Sequence, residues 1–225
     1  DPASLPSDDT LDAWADQALA HLNALRDAPR GEPYSGPVML EGRAAGVFFH
    51  EVFGHRVEGH RQKSETEGKT FADHVGKRIL PAFIDVYDDP TLATWGDVDL
   101  NGWYHYDDEG TPAQRAELVK DGIFVGFLMG RSPIPGFDQS NGHGRRMSGS
   151  APVARMGNTI VTTSKPVPRA TLRRQLLDEV RKAGLPYGYI VEDIEGGFAL
   201  TGRMMPNAFN IRASDTAAFT TVARS

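Results

Sequence analysis

The segment from Gly42 to Gly59 constrains this chain most. It surrounds three ionisable residues, His50, Glu51 and His55, with Ala44, Ala45, Val47, Phe48, Phe49, Val52, Phe53 and Val57. Apolar residues on nearly every face predict a buried helix. Two imidazoles and a carboxylate in such a helix cost free energy unless something compensates them. A metal ion is one such partner.

In the common zinc-peptidase signature the histidines are four apart, on one helical face, and the intervening Glu acts on a water. Here His50 and His55 are five apart, which on a regular helix offsets their side chains by about 140°. A single π-type turn would bring them together, eased by Gly54, or the helix ends there with His55 on the exiting turn. On spacing alone the plainer reading is a pair of core histidines satisfied by ordinary neighbours. The apolar surroundings, and His60 five residues further on, argue for a metal instead.

The rest of the chain reads as a mixture of helices and paired strands. Leu11, Trp14, Ala15, Ala18, Leu22 and Leu25 recur at helical spacing behind the capping candidates Ser7 to Thr10. His21 lies on the polar face of that helix. A Pro- and Gly-rich connector, 27–34, leads to a short strand at Gly36–Glu41. Residues 60–77 are polar and predict a loop or flap that packs through Phe71 and Val75. A strand at Ala82–Tyr87 ends in the turn Asp88-Asp89-Pro90. Asp121-Gly122 between two extended runs predicts a β-hairpin. Residues 130–157 read as loop, 158–163 as strand, and 171–183 as a helix stopped by Gly184, with further strands at 187–194, 198–200 and 208–211.

Hairpins and segregated helices predict an α+β fold: a large mixed, mainly antiparallel sheet with a buried active-site helix and a few peripheral helices. The expected division is an N-terminal helix and connector (1–33), a core (34–212) and a tail without assigned structure (213–225). The first residue is Asp rather than Met, which suggests a piece of a longer chain.

A net charge of -6 argues against a nucleic-acid surface, which needs clustered Lys and Arg. With no cysteine, the chain supplies neither a disulfide nor a thiolate ligand. No run approaches the ~20 apolar residues of a membrane span. These features together favour a cytoplasmic protein.

Several separated motifs occur in one order: Tyr34-Ser-Gly-Pro-Val-Met-Leu-Glu-Gly-Arg-Ala-Ala45, then His50-Glu-Val-Phe-Gly-His-Arg-Val-Glu-Gly59, then Asp107-Asp-Glu-Gly-Thr-Pro-Ala-Gln-Arg115 and Asp121-Gly-Ile123. Asn141-Gly-His-Gly-Arg-Arg146 and Arg155-Met-Gly-Asn-Thr159 continue the series. In these motifs the chain resembles the TldD/PmbA metallopeptidase family, from roughly Tyr34 to Arg212. A His-Glu-x-x-x-His run resembles the catalytically competent, TldD-type side of that family. The resemblance implies that His50 and His55 are Zn2+ ligands and that Glu51 is the general base. It also implies hydrolysis of short or unfolded peptides and pairing into a homo- or heterodimer with a related subunit.

One departure stands out. In better-known members the third zinc ligand is a cysteine near the C-terminus, and Ser214 to Ser225 does not resemble the segment that carries it. His60 is the first substitute to consider, ahead of Glu58, His74 and His143. Each of these also reads as an ordinary surface or loop residue, and His105, between Tyr104 and Tyr106, reads as part of a packed aromatic strand. Asp107, Asp108 and Glu109 read first as a turn, and Arg145 and Arg146 as salt-bridged or solvated. A catalytically silent, truncated subunit that binds peptide or a partner is the alternative from a different functional class.

Overall fold

The computed structural model of the protein describes residues 5–28, 33–65, 69–194, 198–199, 209–210 and 217–223. Helix α1 spans Asp8–Asp27; the Ser7 hydroxyl caps it by accepting from the Thr10 amide at 3.3 Å, and Asp8 and Asp9 sit in its first turn. Side-chain capping and acidic residues both satisfy the exposed amides at a helix start. None of its residues is buried.

Strand β1 (Val38–Leu40) feeds α2 (Gly42–Phe48), a π turn (Phe49–Phe53) and 3-10 turns at Gly54–Val57 and Gly59–Lys63. Strands β2 (Ile84–Asp88), β3 (Thr94–Trp95), β4 (Val98–Asp99), β5 (Ala116–Lys120), β6 (Ile123–Phe124), β7 (Gly144–Arg145), β8 (Val153–Ala154) and β9 (Thr159–Thr163) follow. Helix α3 (Arg169–Lys182) then leads to β10 (Tyr187–Ile194), β11 (Phe198–Ala199), β12 (Phe209–Asn210) and β13 (Ala217–Ala223).

The architecture is α+β with mainly antiparallel pairing, as the sequence predicts. The strands divide into separate sheets, and two of these build the site. In the first, β1 runs parallel to β10 and β13 antiparallel to it, in the order β1-β10-β13. Successive strand residues face opposite sides, and β10 uses both sides. Ile190, with its cross-strand partner Met39, packs under Leu176 and Val180 of α3. Its neighbour Val191, with Ile194, packs against Ala44 of α2. Helices thus cover both faces of this sheet.

Apart from three two-stranded ribbons, the other strands form the second sheet, antiparallel in the order β6-β5-β2-β9. Its β5–β6 hairpin turns through Asp121 (φ 49°) and Gly122 (φ 75°), the two positive angles that a tight two-residue turn requires. Its core contains Val86, Leu118, Val119, Phe124, Phe127 and Leu128, and Phe53 and Val57 enter it from the segment after α2. Burying each of those two side chains contributes about 1.5–3 kcal/mol. The segment 42–57 is therefore anchored at one end to the first sheet and at the other to the second.

Two expectations are corrected here. The run from Gly42 is not one buried helix: regular helix stops at Phe48, and His50 is exposed, because the apolar residues are shared between two cores rather than wrapped in one. Val75 is 43% exposed, so the 60–77 segment packs through Phe71, against Phe53 and Phe124, without it. The tail after residue 213, to which the sequence assigned no structure, contributes β13, which pairs with β10 from Tyr187↔Ala223 to Ile194↔Ala217. The strand ends expected at Leu200, Ala208 and Ile211 lie outside the described residues.

Candidate metal centre

The five-residue spacing of the histidines is resolved by the backbone. Phe49–Phe53 forms a π turn, and Gly54 carries the chain straight into the 3-10 turn that holds His55. The wider π turn shifts angular register within one turn. As a result the two imidazoles meet, with ring centroids 4.7 Å apart and planes at 84°. The two routes considered from sequence, a π turn and an exit from the helix, both operate.

Gly54 is needed for space rather than for backbone freedom: its φ is an ordinary -55°, but a Cβ there would collide with Sδ of Met156. Met156 thereby packs directly beneath the turn between the two histidines.

Glu51 lies between the rings, with Oε1 3.9 Å from His50 Nε2 and Oε2 3.9 Å from His55 Nε2. Each of His50, Glu51 and His55 offers a ligating atom, and all three atoms lie within 4.8 Å of one another. Neighbouring ligands of a tetrahedral zinc site are about 3.4 Å apart, from metal–ligand lengths near 2.1 Å, so the set fits one ion after small side-chain movements. Among the described residues no other such group of His, Asp and Glu occurs. Partial burial and the neighbouring His55 hold His50 below its ordinary pKa, which favours the neutral, ligating form of its ring.

His55 is oriented by Glu58. Its Nδ1 lies 2.9 Å from Glu58 Oε1, and a carboxylate can only accept, so Nδ1 carries the proton and Nε2 presents its lone pair on the Glu51 side. Glu58 is fully buried. It also accepts from Arg61 Nε at 2.7 Å and from Arg155 Nη1 at 3.1 Å to each oxygen. Burial raises the Glu58 carboxyl pKa; the His55 hydrogen bond and the Arg61 and Arg155 charges outweigh it and leave the group below its usual value. Backbone pairing fixes this residue too: Leu128 N donates to Val57 O and Gly59 N to Leu128 O, both at 2.9 Å.

Beside His50 opens a cleft of about 520 Å³, lined by Phe49 and small residues of α2 and by Met156, Gly157, Thr159 and Val161. The small residues of α2 that left it incompletely buried are the ones that form this space. Strand β9, which supplies Thr159 and Val161, is the outer strand of its sheet among the described residues. The backbone of β11 also lies near the π turn.

The remaining candidates are placed elsewhere. His60 lies on the following 3-10 turn and is not part of the cluster. His74 is exposed and touches Phe71 edge-on. His143, read as a solvated loop residue, is fully buried: Nε2 lies 3.1 Å from Asp88 Oδ1, and Nδ1 lies 2.8 Å from Asn141 O. His105 is exposed in a loop against Trp103, not within a packed strand. Asp107 makes a turn, as expected, accepting from the amides of Glu109 and Thr111 and, across the fold, from Gly144. Arg145 pairs with Asp108 at 3.2 Å and lies over the Tyr104 ring, while the Arg146 amide donates to the same Asp108 carboxylate.

Sequence reasoning weighed Glu58 as a metal ligand and missed its role as the partner of His55. The signal was present: Glu58 stands three residues after His55, within one helical turn.

Comparison with known proteins bears on the family of the chain. A metalloprotease of Archaeoglobus fulgidus is 32% identical over 143 residues, which is 63% of this chain and 31% of that protein. The TldD homolog of Buchnera aphidicola from Acyrthosiphon pisum, also a metalloprotease by name, is 30% identical over 192 residues, 83% of this chain and 36% of its own length. The chain thus spans about a third of the length of the curated relatives it matches. The crystal structure of TldE from Thermococcus kodakarensis superposes on 94% of this chain and 46% of its own, with a TM-score of 0.57 at 21% identity, a likeness of fold. The PmbA/TldA metallopeptidase C-terminal domain matches residues 33–214, and the chain belongs to the PmbA/TldD family of metallopeptidases.

Proposed function

We propose that this chain carries the active-site half of a zinc peptidase, with His50 and His55 as metal ligands and Glu51 as the general base. The observation that carries the reading is the convergence of these three side chains across a π turn. A bound zinc ion supplies Lewis acidity, which acidifies water and polarises a carbonyl oxygen. Glu51 takes the proton of the attacking water and returns it to the leaving amine; its position between both imidazoles, with only 14% of its side chain exposed, holds it at that place.

The substrate on this reading is a short or unfolded peptide. An extended chain fits along the cleft beside His50, with an apolar side chain between Phe49, Met156 and Val161. The outer edge of β9 offers backbone groups along the same path. The reading includes pairing with a related subunit, for which the exposed side chains of Trp95, Val98, Trp103 and Tyr106 offer apolar area, and a cytoplasmic setting. Among the described residues no helix is long and apolar enough to cross a membrane.

A second reading, a silent subunit that binds peptide without cleaving it, is favoured by one observation: among the described residues no further His, Asp or Glu joins the cluster as a third ligand beside a free base. Zinc analysis together with peptide hydrolysis separates the two. The wild-type chain is expected to hold stoichiometric zinc and cleave unstructured peptides, and Glu51→Gln to keep the zinc and lose at least ~10²-fold in turnover. Undiminished cleavage by Glu51→Gln, with contaminating peptidases excluded, overturns the role of Glu51. Absence of stoichiometric zinc from the wild type favours the silent subunit.

A further inference from the structure

We propose that Glu58 is a positioning residue for this site: it holds His55 in the tautomer that leaves Nε2 free to ligate, and it ties that ligand to the wall of the cleft. The inference rests on the zinc reading above.

Two arginines would be enough to compensate a buried carboxylate. Glu58 has a third partner, and that partner is a candidate ligand: Oε1 is 2.9 Å from His55 Nδ1, while the opposite nitrogen of the same ring is 3.9 Å from Glu51. Metal-ligating histidines characteristically donate their second ring nitrogen to such a group, which sets tautomer and ring orientation. The other side of Glu58 reaches across 97 residues to Arg155, whose Nη1 spans both carboxylate oxygens. Arg155 is followed directly by Met156 and Gly157 of the cleft wall, and its amide donates to His143 O at 2.9 Å. One carboxylate therefore fixes the ligand and this wall relative to each other.

Glu58→Gln probes this without changing size. Arg61 donates to Oε2 alone, and Arg155 to both oxygens, so Arg61 retains the amide oxygen on the Oε2 side. The amide nitrogen is then turned toward His55 Nδ1, which must accept, and the ring proton moves to Nε2. Zinc affinity measured by chelator competition on the 225-residue chain is expected to fall by about 10–100-fold. Nitrogen-15 spectra of the zinc-free proteins are expected to show His55 protonated at Nδ1 in the wild type and at Nε2 in Glu58→Gln.

Equal zinc affinity in a folded Glu58→Gln, or an unchanged His55 tautomer, overturns the proposal. A wild type that binds no zinc removes the zinc reading on its own, and the tautomer comparison still decides whether Glu58 sets the ring. If Glu58→Gln does not fold, the wild-type spectrum decides: Nε2 protonation of His55 in the zinc-free protein sinks the inference.

Discussion

His143 Nε2 lies 3.1 Å from Asp88 Oδ1, and both side chains are fully buried. The pair stands behind the cleft: the same carboxylate accepts from the Gly157 amide at 2.9 Å and from the Thr159 hydroxyl at 2.6 Å. Asp88 is thus the anchor of the 157–159 wall. Removing it takes the acceptor from one buried donor, His143, and from two partly buried ones, Gly157 and Thr159. Asp88→Ala is expected to lower stability by about 1–3 kcal/mol in urea unfolding, the cost of leaving a buried hydrogen-bonding group unsatisfied. A loss below ~1 kcal/mol would show that the wall is held by other contacts.

Gly54→Ala tests packing beneath the histidines. The new methyl meets Met156 Sδ in a crowded place, and overpacking of this kind costs about 1–3 kcal/mol. The expected result is reduced stability together with weaker zinc binding. Shortening the obstacle in Gly54→Ala/Met156→Ala should restore part of the zinc affinity, and a double variant no better than Gly54→Ala would place the strain elsewhere.

Zinc removal has a thermal signature. A ligand that binds only the folded state adds about 2.7 kcal/mol at a concentration one hundred times its dissociation constant. Added zinc is therefore expected to raise the melting temperature of chelator-treated wild type, and to leave that of His50→Ala/His55→Ala unchanged. An equal rise in both would assign the effect to adventitious binding.

Tyr104 gives the alkaline limb of stability. Burial pushes its phenol up to about 12, against the lowering effect of Arg145, and its hydroxyl donates to Gly142 O at 2.8 Å. The folded state then keeps a proton that the unfolded chain loses near pH 10, so stability declines as pH rises from 10 toward 12. Tyr104→Phe should flatten this decline, and absorbance of ionised tyrosine in the native protein should show one phenol titrating late.

Local rules carried much of the fold in the sequence. Ser7 before a helical repeat, Asp121-Gly122 between extended runs and Gly184 after α3 act within a few residues, and the structure uses each of them as a cap, a hairpin turn and a stop. The feature hidden from sequence was the sharing of one apolar run between two cores. Val47 and Phe53 look alike as letters, yet the first packs with Val191 and Ile194 and the second with the Phe124 cluster. Hydrophobic periodicity reports that a side chain is buried and not against which sheet, so the run read as one helix. His143 was misread for a related reason: its flanking glycines signal a loop, and Asp88, its partner, is 55 residues away. The strand β13 was invisible because Ala217, Ala218, Thr220 and Thr221 form no alternating pattern.

The parallel pairing of β1 with β10 sets an order of events. Val38 lies beside Tyr189 and Leu40 beside Val191, and α2 rests on that same late strand. Contacts between residues so distant along the chain form slowly, and during synthesis they cannot form until the second partner has left the ribosome. The histidine-bearing segment is made early and acquires its seat late. Through that interval its apolar side chains lack the surface that finally covers them.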